Sequence, residues 1–147
     1  MASNLGYPSD INLYQSYKGM SVAAQAVRAG GAVILAAECS DGLGLAHFQQ
    51  LLAARQSPQE LLAMIQDPAF HHFDQWGVQV GAMVQVKVES YLYSSLSDGD
   101  VKRAHMRPCA DIGQTVAALR ERLRRNGEKP TVLVLPYGQL TVPRVSG

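Results

Sequence analysis

One short, wholly apolar run constrains the fold of this chain more than any other feature: Ala32-Val33-Ile34-Leu35-Ala36-Ala37, entered through the stop Ala29-Gly30-Gly31. A strand with no polar residue alternating through it is covered on both faces, and such strands belong to parallel sheets with helices packed on them. Ser90-Tyr91-Leu92-Tyr93-Ser94 resembles a second strand, and Thr131-Val132-Leu133-Val134-Leu135 is a third clear one. Helical patterns fill the intervals, at about 12–28, 45–55, 58–66 and 74–86, with a short helix near 101–105 and a last one reaching Arg125. Ser57 caps the third of these with Pro58 in its first position, and Asp111 caps the last, which Asn126-Gly127 closes. The helix over 74–86 sets Trp76, Val80 and Met83 on one side, and Leu119 and Leu123 share a face of the last helix. Met106 to Pro108 reads as a loop crossing the sheet end. The pattern predicts an α/β fold: three layers, with a small, mostly parallel sheet flanked by helices and right-handed crossovers. With no internal repeat or low-complexity tract, residues 1–147 read as a single domain, long enough to bury about two thirds of its unfolded surface.

The first helix carries two patterns at once. Leu13, Tyr17, Met20, Ala24 and Val27 recur at spacings of four and three, which at about 100° per residue makes one apolar stripe. Tyr14, Gln15 and Lys18 fall together on another flank. Pro8 disfavours helix just before this segment, and Asp10 or Asn12 is placed to cap it. Lys18 offers a compact positive charge and Gln15 both donates and accepts, a pair suited to a small carboxylate or hydroxy acid. The competing reading is a solvated helix face, the usual fate of polar residues opposite an apolar stripe.

Apolar residues make up 47% of the chain, charged residues 17%, and the formal net charge is +1. That balance describes a soluble globular protein with no broad attraction to nucleic acid or membrane, no spanning segment and no recognisable secretory signal. The basic run from Arg120 to Arg125 reads as the solvated end of a helix, where cations interact well with the helix dipole. Cys39 and Cys109 have neither metal-like nor redox spacing and read as free thiols in a reducing cytoplasm.

Other candidate chemistry is weaker. The turn Glu38 to Gly44 leaves the carboxyl end of the first strand, the edge where open α/β sheets place ligands. Gly42 and Gly44 would let backbone amides approach an anion, but their spacing matches neither a P-loop nor a dinucleotide fingerprint, and tight-turn geometry is the better reading. Cys39 has no base nearby in sequence and reads as an inert thiol rather than a nucleophile. His71 and His72 are adjacent and point apart, and His47 and His105 are isolated, so these histidines do not predict a metal site.

Four landmarks then run in order through most of the chain: Gly6-Tyr7-Pro8 with Asp10 to Gly19; Ala36-Ala37-Glu38-Cys39-Ser40-Asp41-Gly42-Leu43-Gly44; Asp74-Gln75-Trp76; and Val134-Leu135-Pro136-Tyr137-Gly138 followed by Thr141-Val142-Pro143. Together they resemble the carboxy-terminal domain of the nickel-dependent lactate racemase family. In that family a Tyr-Gln-x-x-Lys group faces the substrate, and Tyr14, Gln15 and Lys18 match it position by position. Trp76 matches a tryptophan that walls the same pocket, although a tryptophan on an amphipathic helix is ordinarily core.

The resemblance implies a 2-hydroxy acid substrate, whose α-hydrogen leaves as hydride to a nickel-pincer nucleotide and returns to the opposite face of a planar 2-oxo acid. It assigns Lys18 and Gln15 to carboxylate and oxygen contacts, with Lys18 the candidate catalytic residue. Tyr14 shapes the pocket and Trp76 forms its wall. It also implies a partner: the amino-terminal catalytic domain, which carries the acid and base histidines and the cofactor, is missing from these residues. This domain alone is therefore expected to bind no cofactor, to be inactive, and to cover its face around Tyr14 and Lys18 by self-association. The alternative is a non-catalytic α/β module that binds a small acid or a protein partner.

Overall fold

The computed structural model describes residues 1–144. Among these, four strands form one sheet: β1 (Ala2–Ser3), β2 (Ala32–Ala36), β3 (Glu89–Tyr93) and β4 (Arg107–Pro108), all parallel and in the spatial order β1-β2-β3-β4. Strands that are consecutive in sequence and in space send right-handed crossovers to one side of the sheet. That side is built by α1 (Leu13–Gln25), α2 (Ala46–Leu52), α3 (Pro58–Gln66), α4 (Gln75–Lys87) and α5 (Asp98–Arg103). Val33, Leu35 and Leu92 are buried beneath these helices in one core with Leu13, Met20 and Phe48. The last helix, α6 (Ile112–Arg125), takes the other face, where Arg122 forks onto Glu89 with bonds of 2.7 and 3.2 Å. The expected α/β architecture with helices on both faces of a parallel sheet is what the chain adopts.

Local chemistry explains where most elements begin and end. Ser57 accepts the Glu60 amide at 3.2 Å and Pro58 opens α3. Asp111 accepts the Gln114 amide at 2.7 Å, and Gly127, at φ +79°, follows the end of α6. Asn12, rather than Asp10, caps α1, accepting the Gln15 amide at 3.0 Å. Asp10 turns inward instead and accepts the Glu38 amide at 3.1 Å. The helix stops at Gln25, short of the expected Arg28, yet Val27 still packs against the core beyond it.

Two expectations need correction, and the side of α4 that carries Trp76, Val80 and Met83 proves to be its outer one. Arg107 and Pro108 form the edge strand β4 opposite Tyr91 and Leu92, not a loop; proline lacks an N–H and is tolerated at such an edge. On α4 the buried side is Gly77, Val78, Gly81, Ala82 and Val84, whereas Trp76 and Met83 are 50% and 55% exposed. The cause lies opposite, on α1: a Cβ at Gly77 would stand 2.7 Å from the Tyr14 ring, and one at Gly81 would meet the Tyr17 ring. Two glycines one turn apart let α1 press its tyrosines into α4, and the large residues are left outside. Finally, Thr131–Leu135 forms no continuous strand. Leu135 alone bridges to Ala2, and Val132, Leu133 and Val134 remain 43%, 48% and 52% exposed. A strand exists only through its neighbours, and β1 beside it begins at Ala2.

Candidate functional site

The amino end of α1 is held by its surroundings through backbone bonds. The Leu13 and Tyr14 amides donate to the carbonyls of Gly42 and Leu43 at 3.1 and 3.2 Å, and the Ser16 amide donates to Asn12. With Asn12 accepting from Gln15, the amides of Leu13 to Ser16 are all bonded. The turn returns the clasp, since Cys39 and Asp41 donate to the Asp10 and Ile11 carbonyls at 2.9 and 2.7 Å. Gly44, at φ +110°, passes so close that a Cβ there would stand 2.9 Å from the Tyr14 Cβ. The Glu38–Gly44 turn is thus a structural clasp on α1. A second tie comes from Asn4, wholly buried, which accepts the Gly19 amide at 3.1 Å and donates to the Gln15 carbonyl at 3.3 Å.

On this fixed element the four sequence-derived site residues form two neighbouring pairs. The Tyr14 ring meets Trp76 edge-on at 5.7 Å and Phe48 at 5.3 Å. One turn along the same flank, the Lys18 ammonium donates to the Gln15 side-chain oxygen at 2.6 Å. Lys18 is exposed, Gln15 and Tyr14 are half-buried, and half of the Trp76 surface is open. A charge, an amide and two aromatic rings thus edge one surface, with Leu45 and Phe73 exposed on the segments leading into α2 and α4.

Two residues that sequence reasoning left out belong to the same place. Asp74 stands at the amino end of α4 with φ +57° and makes no capping bond with its side chain. Its carboxylate lies instead 3.3 Å from His47 Nε2 and beside the Tyr14 hydroxyl. Burial, then the bond and charge of Asp74, push the Tyr14 phenol up to about 12. The His47 ring packs edge-on against Phe73 at 5.0 Å. An aspartate before a helix reads as a cap in sequence, and nothing in the spacing shows that a left-handed backbone turns it aside.

The remaining candidates are separated by the fold. Cys39 is 1% exposed, and burial pushes its thiol up to about 11, which leaves it protonated and unreactive near neutrality. His72 bonds the Phe73 carbonyl and His105 the Leu52 carbonyl, and among the described residues no three His, Cys, Asp or Glu side chains gather to hold a metal ion. The basic run of α6 lies on its exposed side, where Arg125 pairs with Glu121 at 3.0 Å. Among the described residues no helix is long and apolar enough to cross a membrane.

The family model of the lactate racemase C-terminal domain matches residues 1–142. The chain belongs to the lactate racemase C-terminal domain family. It is 31% identical over 147 residues to the lactate racemase of Thermoanaerobacterium thermosaccharolyticum, covering 98% of this chain and 34% of that protein. It is 33% identical over 141 residues to the lactate racemase of Lactiplantibacillus plantarum, covering 94% of this chain and 32% of that one. The lactate racemase apoprotein structure from T. thermosaccharolyticum superposes on 97% of this chain with a TM-score of 0.85 at 28% identity, again over 34% of its own length. This lactate racemase C-terminal domain chain therefore spans about a third of the relatives it matches.

Proposed function

We propose that this chain is the substrate-pocket domain of a nickel-pincer-nucleotide-dependent 2-hydroxy acid racemase or epimerase, completed by an amino-terminal catalytic domain. The observation that supports the reading is the pairing of Tyr14 with Trp76 across α1 and α4, beside the Gln15–Lys18 pair on α1, in a family member. The described residues offer no donor set for nickel, so the amino-terminal domain would hold the cofactor and this chain would act on the substrate. The task of this chain is binding. Lys18 neutralises the substrate carboxylate, Gln15 donates to one of its oxygens while holding the ammonium, and the Tyr14–Trp76 wall keeps water from the reacting carbon. Charge that develops on substrate oxygen meets donors already in place, which is how a site favours the transition state over the ground state.

The test is a racemisation assay of the two-domain enzyme with cofactor loaded, across chiral 2-hydroxy acids. A charge-assisted hydrogen bond contributes about 1.5–3 kcal/mol, so Lys18→Ala lowers kcat/KM about ten- to a hundredfold. Its urea midpoint stays at the parent value, because the side chain is exposed. Unchanged turnover in this variant would remove Lys18 from the site.

A further inference from the structure

An aspartate ahead of a helix ordinarily takes an extended backbone and accepts amides of the first turn. Asp74 does neither: at φ +57° and ψ +27° its carbonyl accepts the Gly77 amide at 3.3 Å, but its side chain makes no capping bond. The carboxylate, 13% exposed, lies 3.3 Å from Nε2 of His47 on α2 and beside the Tyr14 hydroxyl on α1. An ionised carboxylate only accepts, so His47 is the donor and its ring is the Nε2–H tautomer. Phe73 packs edge-on against the same ring at 5.0 Å. His47 thus grips the two residues that lead into α4, and Trp76 follows in its first turn, edge-on to Tyr14 at 5.7 Å. The other side-chain bond here, from the His72 amide to Gln75 at 2.8 Å, stays within the segment and ties it to neither α1 nor α2.

We infer that His47 is a positioning residue for the Tyr14–Trp76 wall: through its bond to Asp74 it holds the first turn of α4 in the orientation that sets Trp76 against Tyr14. Asp74 has two uses for one carboxylate, as a cap on α4 or as a latch to α2, and the capping use requires an extended backbone in place of the left-handed one. Moving from one region to the other turns the chain at the root of α4, and Trp76 turns with it. The donor on His47 weights the latched use. His47 acts through Asp74 and Trp76, not on the acid itself, as a supporting residue that fixes the geometry of those in contact with a ligand. The kinetic consequence rests on the racemase reading, whereas the latch itself does not.

Trp76 is the one tryptophan of the chain, so its fluorescence reports the wall directly. His47→Phe keeps a ring against Phe73 without a donor, His47→Leu keeps neither, and His47→Gln places an amide N–H close to where Nε2 stands. In the isolated chain, His47→Phe and His47→Leu shift the Trp76 emission to the red and raise its quenching by acrylamide, while His47→Gln keeps the parent values. In the two-domain enzyme with cofactor loaded, loss of this one hydrogen bond lowers kcat about two- to tenfold in His47→Phe and His47→Leu. KM, carried by the Lys18 charge, stays in place, and His47→Gln recovers kcat. Parent-like quenching in both substitutions without a donor overturns the inference. So does a change in only one of them, which would be an effect of packing, and so does a failure of His47→Gln to recover. Parent-like fluorescence with Lys18→Ala impaired strikes the latch alone; displaced fluorescence with Lys18→Ala at full turnover strikes the racemase-pocket reading and leaves the latch standing.

Discussion

At the amino end of α4, the Asp74 carboxylate turns from the helix it could cap toward Tyr14 and His47. A left-handed backbone at a residue other than glycine costs about 1–2 kcal/mol, and such strain persists where surrounding contacts enforce it. Here the contacts are the Tyr14 hydroxyl and the His47 ring. In Asp74→Asn the charge facing Tyr14 is gone, and its phenol titrates below about 12 while staying above the ordinary 10, because burial is the larger cause of the rise. Ultraviolet titration of the isolated chain reads this directly, with Tyr14→Phe identifying the transition. An unshifted midpoint would disconnect Asp74 from Tyr14. None of this geometry was visible in sequence: Asp74 and His47 lie 27 residues apart, and the resemblance directed attention to Trp76 two positions further on.

Helices whose ends are written in local chemistry were legible, and those placed by their neighbours were less so. Ser57 with Pro58, and Asp111 with Asn126-Gly127, announce α3 and α6 because caps act within one turn. The orientation of α4 escaped the pattern because its buried side is small, and glycines carry no hydrophobic signal. The two glycines are not equivalent. Tyr17, against Gly81, is 2% exposed and cannot move aside, whereas the half-buried Tyr14 ring, against Gly77, can swing outward. Gly81→Ala therefore destabilises the chain by about 1–3 kcal/mol, a cost of overpacking that outweighs the gain of up to about 1 kcal/mol in helix propensity. Gly77→Ala costs less. Urea unfolding of both variants should show this order, and the reverse order would place the tighter contact at Tyr14. Thr131–Leu135 was legible as a strand for sound reasons of composition, yet strand character is a property of a pair.

For the molecule as a whole, burial of titratable groups sets an alkaline limit to stability. Cys39 goes from an ordinary 9.0 to about 11 on folding and Tyr14 from 10.0 to about 12, while burial also raises Tyr17. A raised pKa means the unfolded chain releases its proton first, so stability is full below the unfolded value and is lost as pH rises through the folded one. Urea midpoints should hold to about pH 8 and fall progressively from 9 to 12, and Cys39→Ala should remove the earliest part of that fall. Glu89 behaves oppositely: burial alone would raise its carboxyl, but Arg122, Tyr91 and Arg107 together hold it below the usual range. Its contribution to anchoring α6 fades as pH drops through that lowered value. The clasp on α1 reaches furthest into function. The amides of Leu13, Tyr14 and Gln15 are already bonded to Gly42, Leu43 and Asn12, which leaves few free donors at the amino end of that helix for a substrate anion. On the proposed reading, attraction for the acid then passes through the exposed Lys18 ammonium, so rising ionic strength should raise KM and leave kcat in place.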